Sequence, residues 1–81
     1  MEKEMKFETM DLYLSAFLSL SGQPPRLKIN HGKVIFSFPA SNDIYKLMTN
    51  FNSNVNVPVT DFVTTVKTLR GQMLSMRKTG K

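Results

Sequence analysis

Arg26-Leu27-Lys28-Ile29-Asn30-His31-Gly32-Lys33-Val34-Ile35-Phe36-Ser37-Phe38 decides the fold. Before the middle, apolar Leu27 and Ile29 alternate with basic Arg26 and Lys28. After it, Val34, Phe36 and Phe38 alternate with Ile35 and Ser37. A period of two is the mark of a strand with one buried face. His31-Gly32 supplies a two-residue turn, the shortest link between antiparallel strands. That turn pairs Asn30 with Lys33, Ile29 with Val34, Lys28 with Ile35 and Leu27 with Phe36. Leu27, Ile29, Val34 and Phe36 then share one face. A slip of one residue would scatter them over both faces, so the register is specified. The other face carries Arg26, Lys28, Ile35 and Ser37.

Outward from the hairpin, helix signals appear on both sides. Thr9 is a candidate N-cap, with Asp11 in the first turn. Leu12, Tyr13, Leu14, Ala16, Phe17, Leu18 and Leu20 follow, apolar on nearly every side, which predicts a central buried helix. Gly22 suits the left-handed position after its end, and Pro24-Pro25 blocks continuation. Beyond the hairpin, Ser41 or Asn42 caps a second helix, with Asp43 in its first turn. Ile44, Leu47, Met48 and Phe51 form its single apolar stripe. Asn52-Ser53-Asn54 stops it. Val55-Asn56-Val57 is a candidate short third strand on the hairpin edge. Pro58 opens a last helix whose buried stripe is Val59, Phe62, Val63, Val66, Leu69 and Met73. Gly71 weakens that helix, which is expected to bend or fray from there.

The expected architecture is α+β: a helix, an antiparallel β-hairpin with that candidate third strand, and two further helices, packed on one sheet face. Residues 1–8 read as a flexible lead-in, 9–76 as one domain, and 77–81 as a basic disordered tail. The 81 residues suit one small core. No segment is long enough to span a bilayer, and the acids near the start spoil a signal-peptide pattern. Cytoplasmic residence without membrane contact is the expectation.

Several chemistries are excluded or thin. There is no cysteine, which removes disulfides, thiolate metal sites and thiol nucleophiles. His31 is the single histidine, and it has no acid nearby in sequence to orient it. Asp11, Asp43 and Asp61 each start a predicted helix, where the helix dipole accounts for them. No serine has a partnered base. Neither a catalytic residue nor a metal or cofactor site is expected.

The charge points to a partner. The net charge is +5, divided into −2 over residues 1–11 and +7 over residues 12–81. Arg26, Lys28 and Lys33 share the hairpin. Lys67, Arg70 and Arg77 follow one edge of the last helix, with Lys78 beside them. Adjacent hairpin and helix would make these two strips one groove. Such strips hold phosphates by counterion release, without sequence choice. DNA, RNA or a nucleoprotein complex is therefore the expected partner. A solvated, solubilising face accounts for the hairpin cations equally well. Tyr13 and Tyr45 belong to a residue type that stacks on bases. Both fall on helix patterns and are expected in the core, as are the phenylalanines. The alternative is a protein partner, or a second copy, paired along an exposed strand edge. Ile35, apolar on the polar face, is a small sign of it.

Phe7-Glu8-Thr9-Met10-Asp11-Leu12-Tyr13-Leu14-Ser15-Ala16-Phe17-Leu18, followed by Gly22, resembles a small family of bacterial and phage proteins known as a domain of unknown function. Its members open with T-x-D-L-Y-L-A-A-F-L. They continue with I-x-x-x-G-x-x-x-F-x-F, matched by Ile29, Gly32, Phe36 and Phe38. They end with V-x-A/V-x-x-F/Y, matched by Val57-Pro58-Val59-Thr60-Asp61-Phe62. The resemblance covers residues 7–74 and rests mostly on core positions. It implies a prokaryotic or phage setting. The alternative function, of the protein-binding class, is a phage or mobile-element accessory protein that binds and modulates a host or effector protein. The resemblance carries no catalytic residue to this chain. His31-Gly32 departs from the family's frequent Asp-Gly turn, and this chain is more basic.

Overall fold

The structure, a computed structural model, describes residues 5–79. Its order is β1 (Lys6–Thr9), α1 (Leu12–Leu20), β2 (Arg26–Asn30), β3 (Lys33–Pro39), α2 (Asn42–Asn52) and α3 (Val59–Thr79). The strands form one antiparallel sheet in the order β1-β3-β2. The α+β architecture of the sequence reading is therefore the observed one.

The hairpin has the expected register residue for residue, from Asn30 opposite Lys33 to Leu27 opposite Phe36. His31 (φ 53°) and Gly32 (φ 79°) are both left-handed, as a type I′ turn requires. The third strand is not where the sequence put it. Val55-Asn56-Val57 is irregular, and β1 takes the free edge of β3 instead, with Phe7 opposite Phe38 and Thr9 opposite Phe36. Residues 6–8, read as lead-in, are thus part of the sheet. Residues 1–4 of that lead-in lie outside the described residues.

The helix ends follow local chemistry. Asp11 caps α1, its Oδ1 accepting from the Leu14 amide at 3.0 Å. Thr9, the expected cap, ends β1 and accepts from the Asp11 amide through Oγ1 at 3.0 Å. At the other end Gly22 (φ 98°) donates to Ser19 and Gln23 donates to Leu18, which closes a Schellman motif. Ser41 caps α2 through the Ile44 amide. Asn54 (φ 60°) donates to Phe51 and Val55 donates to Asn50, a second Schellman motif. Val55 spends its amide on this cap, so it cannot also serve a sheet ladder.

The Pro58 carbonyl accepts the first bond of α3, from Phe62. The helix runs through Gly71 to Thr79. Arg77 and Lys78 are therefore helical and not in a disordered tail. Cations in a last turn meet the negative end of the helix dipole, which favours helix there. Gly80 and Lys81 lie outside the described residues.

One core joins all layers. Leu14, Ala16, Phe17 and Leu18 of α1 meet Phe36 and Phe38 of β3, Ile44 of α2, and Val66 and Leu69 of α3. Phe7, Leu27, Leu47, Met48, Phe51, Phe62 and Met73 pack around them. Val59 and Val63 do not join: they are 73% and 43% exposed. The packed line of α3 runs through Phe62, Val66, Leu69 and Met73, and both valines fall on its flank.

Candidate nucleic-acid interface

Side chains alternate across a strand, so the register assigns each residue to a face. Phe7, Leu27, Val34, Phe36 and Phe38 point to the helices, and all three helices bury their apolar residues in one cluster with Phe36 and Phe38. The opposite, open side carries Lys6 and Glu8 of β1, Lys33, Ile35 and Ser37 of β3, and Arg26 and Lys28 of β2. All of its charged side chains are exposed, and Ile35 is half-buried.

Four cations thus face one carboxylate. Glu8 forms an ion pair with Lys28 diagonally across β3. The two side chains are 36% and 51% exposed, so water screens the pair. Lys6, Arg26 and Lys33 have no ion pair among the described residues. Glu8, Ser37 and Arg26 form one cross-strand row. Ser37, in its middle, is only 8% exposed although no helix lies on that side.

Arg26, Lys28 and Lys33 are therefore together, as the hairpin reading placed them. Lys67, Arg70, Arg77 and Lys78 are exposed on α3. That helix packs on the other side of the sheet, so the two strips do not face a common groove. The cause is strand alternation: the face that buries Phe36 against α3 turns Lys28 away from it. Leu74, 54% exposed, sits among the α3 cations.

The tyrosines are not core residues. Tyr13 and Tyr45 are 52% and 50% exposed. Tyr13 stacks on Phe62 with ring centroids 6.5 Å apart. Both tyrosines project from helices, away from the basic sheet face, which has no aromatic side chain. It can hold phosphates but offers bases no ring to stack on.

Sequence reasoning missed Lys6 and Glu8. The signal was the alternation Lys6-Phe7-Glu8-Thr9, one strand period too short to stand out among the early charges. Among the described residues, no three histidine or acidic side chains cluster as a metal site would need. No helix among them is long and apolar enough to cross a membrane.

These features define a small α+β domain whose three helices back a three-stranded antiparallel sheet with a basic open side. The chain belongs to the family known as a domain of unknown function (DUF5659), whose model matches residues 4–75. Comparison with curated proteins and with solved structures gave no match.

Proposed function

We propose that the chain is a non-catalytic binding protein of prokaryotic or phage origin, working in the cytoplasm. Its ligand is nucleic acid or a nucleoprotein complex, met through the open sheet face. The observation that carries this reading is the charge of that face: Lys6, Arg26, Lys28 and Lys33 against Glu8 alone, on a side no helix covers. Lys67, Arg70, Arg77 and Lys78 form a second strip on α3, turned away from that face, for another component of the complex. The lack of an aromatic platform favours backbone contact over base readout. The resemblance of residues 7–74 to bacterial and phage sequences supports the setting.

An electrophoretic titration with DNA and with RNA at two ionic strengths tests the reading. Retarded bands at low salt that fade as salt rises are expected. The absence of any shift at low salt would remove the idea.

A second reading is an accessory protein that modulates a host or effector protein. Val59 and Val63, exposed in the first turns of α3, and Leu74, exposed among its cations, favour it, because exposed apolar side chains suit a protein surface better than a phosphate chain. Capture of one defined protein from host lysate, kept after nuclease treatment, would favour this reading over the first.

A further inference from the structure

The open face is not flat. At one end of the sheet lies a cleft of about 280 Å³, lined by Lys6, Pro24, Arg26, Ser37, Phe38 and Pro39. Its two cations come from opposite edge strands and flank the central strand. Lys6 pairs with Pro39 from one side, and Arg26 pairs with Ser37 from the other. Neither cation has an ion pair among the described residues, because Glu8, the nearest acid by register, is engaged by Lys28. Ser37 lies in the middle. The residue is only 8% exposed, yet its hydroxyl stays within reach of solvent and makes no hydrogen bond among the described residues, so it is available to a ligand in the cleft.

From this geometry we infer that the cleft binds a terminal phosphate, the monoester dianion at the end of a nucleic-acid strand. Two cations match its double charge, where an internal diester offers a single one. The planar guanidinium of Arg26 suits two phosphate oxygens at once, and the Lys6 ammonium acts as a point charge. The Ser37 hydroxyl donates to a third oxygen. Prolines 24 and 39 wall the cleft with side chains that cannot compete for the anion. The assignment deepens the nucleic-acid reading and rests on it for the source of the phosphate, while the cleft itself stands on its own residues.

The test uses the full chain and two kinds of probe. First, inorganic phosphate is titrated while backbone and Arg side-chain NMR signals are followed. Saturable shifts centred on Lys6, Arg26 and Ser37 are expected. Second, two single strands of one sequence are compared, with and without a terminal phosphate. The phosphorylated strand binds several-fold tighter, and Arg26→Gln abolishes that preference. Ser37→Ala reduces it while leaving thermal stability unchanged or raised, because the hydroxyl has no partner in the free protein. Absence of saturable shifts at these residues, or shifts no larger than those along α3, overturns the assignment. If both strands bind equally, the assignment also fails, yet the nucleic-acid reading survives. If phosphate saturates the cleft but neither strand binds, the nucleic-acid reading falls, and the strand-end assignment with it.

Discussion

Neutralising Arg26 and Lys33 together should flatten the salt dependence of nucleic-acid binding. Three cations on the open face, Lys6, Arg26 and Lys33, have no ion pair among the described residues, while Lys28 is already engaged by Glu8. If each neutralises one phosphate, the log–log slope of affinity against salt is about −2.7 on duplex DNA and about −2.1 on a single strand. Raising salt from about 50 mM to about 200 mM then weakens duplex binding about 40-fold. The double variant Arg26→Gln with Lys33→Gln leaves Lys6, so the slope falls to about −0.9 and the loss to about fourfold. The α3 cations point away from this face, so Lys67→Gln with Arg70→Gln should leave the slope unchanged. Fluorescence anisotropy with a labelled duplex at four salt concentrations measures all three, with circular dichroism to confirm folding. A wild-type slope near −6 would mean that both strips grip one ligand at once, which the opposite placement of sheet face and α3 forbids. The reasoning is equally refuted if the sheet-face variant keeps the full slope while the α3 variant loses it.

Three further predictions concern the fold that holds this face. Phe36 is fully buried at the centre of β3, so Phe36→Ala should cost about 3–5 kcal/mol in urea unfolding, enough to unfold much of a small domain; a loss under about 1 kcal/mol would contradict its place in the core. Asp11→Ala removes the cap on the Leu14 amide and should cost about 1 kcal/mol, with Asp11→Asn retaining most of it, as thermal melts would read. His31 sits at φ 53°, where asparagine is easier than histidine, so His31→Asn should raise the melting temperature slightly. Gly32→Ala at φ 79° should lower it, although an added Cβ there would meet nothing within 4 Å, which makes the loss purely conformational.

Legibility in the sequence followed the range of the interaction. The hairpin register was readable because its evidence is local: two alternating runs and a two-residue turn within thirteen positions. Both Schellman ends were readable as Gly22 and as Asn52-Ser53-Asn54, since a left-handed position selects its residue by backbone sterics alone. Val59 and Val63 misled because an apolar residue on the flank of a stripe resembles one inside it. The difference of one helical step is decided by what packs there, here Tyr13 on Phe62. The tail misled because Gly71 and a run of cations resemble a fraying end, whereas the last-turn charges complement the dipole. Tyr13 and Tyr45 were placed inside by their apolar bulk, yet a phenol can leave its ring half in water.

The misread third strand and the incomplete site share one cause. β1 pairs with residues some thirty positions away, and four residues carry too little pattern to announce a long-range partner. Yet that pairing determines what the open face is. With Val55-Asn56-Val57 on the edge, the face would hold the hairpin cations and a neutral neighbour. With β1 there, it gains Lys6, which completes the cleft over Ser37, and Glu8, which engages Lys28 and leaves Arg26 free. The same strand that makes β3 central thus divides the hairpin cations into one that is paired and two that are available. A substitution that loosens β1 should therefore alter binding without touching a hairpin residue. Phe7→Ala is such a change, because its ring lies 6.2 Å from that of Phe38 and anchors the strand. The loss should fall on phosphate contact at Arg26, where a freed Glu8 would no longer be held to Lys28.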